Sequence, residues 1–192
     1  MCHLRNFYQC LGLAWIASPH FVFRVEEIPK NVRSGARVAV SDADLASRLS
    51  FFLWSSIPDE ELLALADQGK LRDQATVEKQ VARMLDDPKS KAFVSNFSGQ
   101  WLFLRNLDQV KPDPDEFPQF DAGLRKAFQQ ETEMFFNSIL REDRPVSEFL
   151  DAKYTFLNQR LAEFYGVKGV YGPQFRRVEL NDPRRGGLLG QG

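Results

Sequence analysis

Four carboxylates in the second half of the chain are the residues best suited to general acid–base chemistry. Glu131 and Glu133 lie on a predicted helix, and Asp143 and Asp151 follow it. Glycoside hydrolysis, for example, needs two carboxyl groups that face each other across roughly 5 to 9 Å. Glu131 and Glu133 cannot pair in this way, because residues two apart point to different sides of a helix. A pair formed by Glu133 and Asp151 stays open, although helix capping and surface ion pairs explain most such residues.

The imidazole and thiol side chains are few, and all of them lie near the N-terminus. His3 and His20 are the two histidines, and Cys2 and Cys10 are the two cysteines. No G-x-S-x-G motif supplies a nucleophile for a Ser-His-Asp relay. Cys2, His3 and Cys10 lack the fourth ligand and the paired spacing of a closed zinc site, and no C-x-x-C-H motif for haem attachment is present. We therefore predict no catalytic, cofactor-binding or metal-binding residue.

An acidic stretch, KPDPDEF, resembles a calcium loop only at its start. Asp113, Asp115 and Glu116 lie close together, but Pro118 occupies the position where an EF-hand requires glycine. We interpret the stretch as a solvated loop, since exposed connections are normally polar.

The charge balance argues against a polyanionic partner. The chain has 192 residues, with 25 basic and 26 acidic side chains and a formal net charge of −1. The arginine pairs that begin at Arg176 and Arg184 are a weak footprint for phosphate. The longest apolar stretches, LGLAWIA and LSFFLW, are far shorter than the roughly 20 residues of a transmembrane helix. We predict no nucleic-acid partner and no transmembrane segment.

Aromatic side chains are abundant, with seventeen phenylalanines and three tryptophans. Most phenylalanines fall on helical stripes with leucine and valine, a pattern typical of a protein core. A stacking platform for sugars or bases is the alternative. Carbohydrate binding by an exposed Trp15, Trp54 or Trp101 stays open, and it would fail if all three indoles were buried.

Capping residues and apolar periodicity predict the elements that must position these side chains. Ser41 and Asp44 have the spacing of a capping box, and Asp121 can cap the long helix. The stretch FFLWSSIPDEELLALADQG is interpreted as the joint between two helices, and the apolar run WLFL is expected to be deeply buried. PQFRRVEL shows strand-like alternation at most. The predicted helices are residues 41–54, 56–69, 73–86, 88–105, 121–141, 146–150 and 158–165. We therefore predict an all-α fold, an irregular helical bundle of about six to seven helices with little or no β structure.

The two ends of the chain differ from this helical middle. A helix that would end near Ser18 has nothing upstream to pack against, and NDPRRGGLLGQG is rich in glycine without a finished element. We expect residues 1–40 to be a remnant of a preceding module with a linker, residues 41–170 to be a helical domain, and residues 171–192 to start a following module. The chain would then be a fragment of a larger protein.

A series of motifs resembles one bacterial family. The motifs are ASPHFVFRVE, DADLASRLSFFLWSSIPDEELLALADQGKL, FSGQWLFLRNL, FDAGLRKAFQQETEMFFNSILREDRPVSEFLDAKYTFLNQRLAEFYGV and RRGGLLGQG. From about Leu11 onward, the chain is similar to the family called domain of unknown function 1592. The resemblance implies an exported multi-domain parent protein of the planctomycete type, often with a cytochrome c domain and sometimes with carbohydrate-binding modules. It implies no catalytic residues.

Two functions from different classes follow from this reading. The first is an uncharacterised scaffold or interaction module of a larger exported, cytochrome-linked protein, which docks on neighbouring domains of the same parent. The alternative is an enzyme module for polysaccharide degradation or redox chemistry that uses Glu133, Asp143 and Asp151. Carbohydrate is a further candidate partner. The resemblance implies a periplasmic or secreted location, while the residues themselves leave localisation open.

Overall fold

The computed structural model describes residues 18, 33, 35–180, 182 and 185–192. This part of the chain has eight α-helices and a two-stranded antiparallel sheet, so the predicted all-α class with little β structure is confirmed. The elements are α1 (Asp42–Trp54), α2 (Glu60–Asp67), α3 (Gln74–Asp86), α4 (Lys91–Phe93), α5 (Gly99–Trp101), α6 (Ala122–Arg141), α7 (Glu148–Asp151), β1 (Tyr154–Leu157), α8 (Gln159–Tyr165) and β2 (Arg176–Glu179).

Helices α1, α2 and α3 form a first unit around one hydrophobic core. The predicted capping box begins α1, because the Asp44 N–H donates to Ser41 Oγ at 3.1 Å and the Ser41 hydroxyl donates to the Asp44 carboxylate at 2.7 Å. The indole N–H of Trp54 donates to the backbone oxygen of Met84 at 2.8 Å, which joins α1 to α3. The buried core residues of this unit are Ala46, Leu53, Trp54, Leu62, Leu71 and Met84.

The stretch 51–69 forms the predicted joint between α1 and α2. Ser55 ends α1 in the left-handed conformation, with a φ of 52°. Asp59 caps α2 by accepting a hydrogen bond from the Leu62 N–H at 3.0 Å. The same carboxylate accepts a hydrogen bond from Arg83 Nη1 on α3 at 2.7 Å, so the corner is fixed to the third helix.

Residues 88–101 form a composite helix rather than the regular helix that the periodicity predicts. A 3₁₀ turn (Pro88–Ser90) leads into α4, a π-helical turn (Val94–Ser98) follows, and α5 ends the run. Phe103 then takes a left-handed conformation, with a φ of 57°, before a 3₁₀ helix (Leu104–Gln109). The predicted burial of WLFL is therefore wrong for Trp101 and Phe103, because the chain turns away after α5, and right for Leu104.

The second unit is organised around the long helix α6. Asp121 caps it by accepting a hydrogen bond from the Leu124 N–H at 2.7 Å, as predicted, and Arg160 of α8 donates to the same carboxylate at 2.9 Å. The sequence reading did not predict β1, which pairs antiparallel with β2 so that Thr155 lies opposite Val178. The buried core residues here are Leu124, Ala127, Phe128, Leu157, Leu161, Ala162 and Val170.

The C-terminal residues 185–192 pack on this second unit. The Gly187 N–H donates to the Ala152 oxygen at 3.0 Å, and the Gly192 N–H donates to the Tyr165 hydroxyl at 2.6 Å. Gly187 has a φ of 61°, and a Cβ placed there would lie 2.5 Å from the Leu150 carbonyl carbon. The close approach therefore requires glycine. The module boundary at residue 170 stays a prediction.

We expect Gly187→Ala to lower the free energy of unfolding far more than Gly69→Ala. Both glycines have positive φ, but a Cβ at Gly69 meets nothing within 4 Å, so that substitution costs only the conformational strain of about 1 kcal/mol. At Gly187 a backbone clash adds to the strain, and we expect about 3 kcal/mol or more. Urea denaturation of both variants measures the difference. Equal losses for the two variants would show that the tail does not pack closely in solution.

Candidate functional site

The four carboxylates singled out from the sequence do not form one site. Glu133 accepts a hydrogen bond from Gln129 one helical turn away, at 2.9 Å, and lines a groove of 450 Å³ on α6. Asp143 lies in the turn after α6 with a φ of 48°, and Asp151 is exposed at the end of α7. Among the described residues, neither aspartate lines the Glu133 groove. The groove that Glu133 lines therefore does not bring Glu133 and Asp151 together.

Several other candidates lie outside the described residues, namely Cys2, His3, Cys10, Trp15, His20 and Arg184. The acidic stretch around Asp113 is exposed, and its carboxylate accepts a hydrogen bond from the Asp115 N–H at 2.9 Å. Within the described ranges, no group of three or more His, Cys, Asp or Glu side chains could hold a metal ion. No helix there has the length and apolar character to cross a membrane.

Glu131 is the one carboxylate of the four that the fold encloses. Its side chain is 1% exposed on the central part of α6. The Thr155 hydroxyl of β1 donates to one carboxylate oxygen at 2.5 Å, and the Tyr165 hydroxyl of α8 donates to the other at 2.7 Å. Both oxygens thus have partners, as a buried carboxyl group requires. The contacts fix α6, β1 and α8 to one another.

Burial controls the protonation of this cluster. Removal of the carboxylate from water raises the pKa of Glu131 to about 7, against the opposing effect of the hydrogen bonds from Thr155 and Tyr165. Burial and the neighbouring Glu131 also raise the pKa of Tyr165 above its ordinary value. A hollow of 440 Å³ beside Tyr165 is lined by Arg185 but not by Glu131. A ligand in that hollow would therefore meet the tyrosine and not the Glu131 carboxylate.

An open groove of 710 Å³ lies between α1 and the composite helix. We call it the aromatic groove. Its apolar lining consists of Phe51, Phe52, Phe93, Phe97 and Trp101, and Trp101 is 52% exposed while Phe97 is 41% exposed. A groove of this volume with an aromatic lining is typical of a binding site for a small ligand or a chain segment.

Three uncharged polar side chains complete the lining of the aromatic groove, namely Ser55, Asn96 and Gln100. The Asn96 amide donates to Ser55 Oγ at 2.8 Å and accepts a hydrogen bond from Arg105 Nη2 at 2.7 Å. Asn96 is therefore held from two sides. Among the described residues, the side chains that line the groove carry no charge.

Unusual backbone geometry surrounds the same groove. The π-helical turn (Val94–Ser98) contributes Asn96 and Phe97 to the lining, and π-helical turns within α-helices are frequent at functional sites. Ser55 lines the groove in a left-handed conformation, and Phe103 follows α5 in another. Such conformations are costly for residues other than glycine and cluster at ligand sites. The π-helical turn and Ser55 therefore both contribute to the lining of the groove, and Phe103 lies two residues beyond Trp101.

The sequence reading singled out Trp101 but did not predict the groove. Trp101 was a candidate for an exposed indole, and it is exposed, whereas Trp54 is 4% exposed and belongs to the core. Most phenylalanines were expected in the core, but Phe51, Phe52 and Phe97 are exposed. The sequence contained a signal for the exposure of Phe51 and Phe52. Four consecutive residues cannot all lie on the buried stripe of α1, and Leu53 and Trp54 occupy it.

We expect the stability of the fold to decrease between about pH 4.5 and about pH 7 because of Glu131. The folded state holds the Glu131 proton more tightly than the unfolded state, so this contribution is complete below pH 4.5 and is lost as the pH rises through about 7. The full change corresponds to about 3 kcal/mol. Glu131→Gln stays neutral and should lack this loss. Urea denaturation across the interval compares the variant with the parent protein.

Glu133→Gln is the matched control, since Glu133 lies on the same helix and no hydroxyl pair encloses it. Its free energy of unfolding, plotted against pH, should run parallel to that of the parent protein. The other carboxylates with shifted pKa values contribute equally to parent and variants, so the difference curve isolates Glu131. A constant difference between the parent protein and Glu131→Gln across the interval would contradict the assignment.

A fungal protein is similar to this chain over most of the length of the chain. A protein named O-methyltransferase pgmB, from Aspergillus terreus (strain NIH 2624 / FGSC A1156), is 27% identical over 175 residues. These cover 85% of this chain and 44% of the fungal protein, so the chain spans less than half of that relative, whose name describes the relative alone. No solved structure matches the chain.

The family described as PSD4, protein of unknown function (DUF1592), matches residues 40–167. The match covers more than half of the chain, and it contains the aromatic groove and Glu131 with its two hydroxyl partners. It begins just before α1 and ends just after α8. The chain therefore belongs to the DUF1592 family, as its motifs predicted.

Proposed function

We propose that this domain is a binding module without a catalytic centre of its own, and that the aromatic groove is its contact surface. The observation that carries the proposal is a continuous row of partly exposed aromatic rings. Ring centroids lie 5.1 Å apart for Phe52 and Phe93, 5.3 Å for Phe93 and Phe97, and 5.9 Å for Phe97 and Trp101. Exposed apolar patches of this kind mark interaction sites.

The row is anchored from behind by the core. The Phe136 ring of α6 lies 6.2 Å from Phe93, 5.8 Å from Phe97 and 6.5 Å from Trp101. Phe136 itself is buried. The groove therefore presents rings whose positions are set by packing, and binding to such a surface requires little additional ordering of side chains.

The positions of the carboxylates in the fold also support binding rather than catalysis. A general acid or base must come within hydrogen-bond reach of the substrate. Glu131 is sealed by Thr155 and Tyr165, and the groove that Glu133 lines does not include Asp151. The enzyme alternative therefore finds no support in the described residues, and the 27% identical relative does not favour it.

The setting of the module belongs to the proposal as well. The family resemblance supports an exported parent protein in which neighbouring domains, including a cytochrome c domain, accompany this one. The module would then be a scaffold that brings what its groove binds to those neighbours. Expression of the parent protein with its own leader, followed by cell fractionation, tests the exported location.

We expect the double variant Phe51→Ala with Trp101→Ala to lose binding of the neutral dye N-phenyl-1-naphthylamine. The dye fluoresces in apolar sites, and the two substitutions remove half-exposed rings from opposite sides of the groove. The fluorescence gain should fall about fivefold or more. Stability should change by about 1 kcal/mol or less per ring, since the removed rings are half in water.

Tyr171→Ala is the matched control, because Tyr171 is a 72% exposed aromatic residue that does not line the groove. It should keep the dye response of the parent protein. If the groove variant and the control respond equally, the aromatic groove is not the contact surface and the proposed function fails.

A further inference from the structure

We propose that the aromatic groove binds the sugar rings of a neutral oligosaccharide, an inference that rests on the proposed function and names its ligand class. The lining combines aromatic rings with uncharged hydroxyl and amide side chains. A pyranose ring has the complementary chemistry, because its C–H groups form apolar faces and its hydroxyl groups lie along its edge. The volume of the aromatic groove, 710 Å³, falls within the range of small-molecule sites.

The aromatic rings supply the contact for the apolar face of a sugar. An aromatic ring has a negative face, which attracts C–H groups that neighbouring oxygen atoms have polarised. Trp101 provides the largest such ring in the groove, and about half of its surface is exposed. Phe97 continues the row at 5.9 Å, so that more than one sugar of a chain finds a ring.

The polar side chains supply hydrogen bonds for the hydroxyl edge. Asn96 uses one amide hydrogen on Ser55 and one lone pair on Arg105, so a second amide hydrogen and a second lone pair remain. Ser55 accepts from Asn96 and keeps its own hydroxyl hydrogen for a ligand. Sugar hydroxyls donate and accept, and both functions are available here. Arg105 is a positioning residue, because it orients Asn96 and does not line the groove.

Other ligand classes fit this lining less well. A cation is attracted by ring faces, but no described carboxylate lines the groove to neutralise its charge. An anion would need a cationic group in the lining, and no described cationic side chain lines the groove. A wholly apolar helix would cover Ser55 and Asn96 without satisfying their remaining hydrogen-bond capacity, which is costly when such groups are buried.

Calorimetric titration with cellohexaose and maltohexaose tests the proposal, with oligogalacturonate as an acidic comparison. We expect at least one of the neutral probes to bind with a Kd on the order of 1 mM or tighter. Trp101→Ala should weaken that binding about tenfold. Tyr171→Ala should leave it unchanged. Arg105→Met should weaken sugar binding while N-phenyl-1-naphthylamine still binds, because the variant frees Asn96 and keeps the rings.

The outcomes separate this inference from the proposed function. If neither neutral probe binds at about 10 mM while the dye still binds in the groove, the sugar inference fails and the binding module stands. Preference for oligogalacturonate, or for an amphipathic leucine–lysine helical peptide over both sugars, also overturns it. Sugar binding that Trp101→Ala leaves unchanged places the sugar elsewhere and overturns the assignment. If the dye does not bind in the groove either, both proposals fail.

Discussion

The enclosure of helix α6 is the constraint on which the rest of this structure depends. Its buried residues include Leu124 and Phe128 near its start and Phe135 and Ile139 near its end, so partners cover it along most of its length. Buried polar side chains on such a helix are stabilised by partners inside the protein. Glu131 has such partners in β1 and α8, and its neighbour Thr132 has one in Gln191 of the C-terminal segment, at 2.8 Å. The polar groups of one helix thereby fix the positions of three other parts of the chain.

The same helix connects the buried core to the exposed aromatic groove. Phe136 contacts rings of the composite helix, and its ring centroid also lies 5.3 Å from that of Phe149 of α7. Core packing therefore sets where Phe97 and Trp101 lie, although both rings are exposed. The π-helical turn between α4 and α5 has a wider turn than an α-helix, which changes the relation between residue spacing and direction. A surface built in this way is held by interior contacts and needs no partner to keep its shape.

The parts of the fold that could be predicted are those decided by local interactions. Ser41 and Asp121 cap the helices that the sequence assigned to them, because a cap depends only on a side chain and the next few N–H groups. The strand β1 was missed because its four residues are fixed by pairing with β2, twenty residues later, which no local pattern shows. The run WLFL was predicted to be buried, but Trp101 is exposed. Its exposure depends on a left-handed turn at Phe103, which the apolar pattern does not indicate. Glu131 was identified as a candidate acid, but only the tertiary contacts show that it is sealed.

The contrast between the buried Glu131 cluster and the aromatic groove explains why we propose binding rather than catalysis. A pKa near 7 is what a general acid or base needs, and a carboxyl group of this kind in an open cleft would be a candidate for catalysis. At Glu131, however, the burial that raises the pKa is the same burial that excludes a substrate, because the hydroxyl groups of Thr155 and Tyr165 occupy both oxygens. The aromatic groove has the opposite properties. It is accessible from solvent, and its described lining has no titrating group. Its polar side chains Ser55 and Asn96 are uncharged and joined by a hydrogen bond. The raised pKa and the access from solvent therefore lie at different places in the described fold, and the proposed binding role rests on the accessible place.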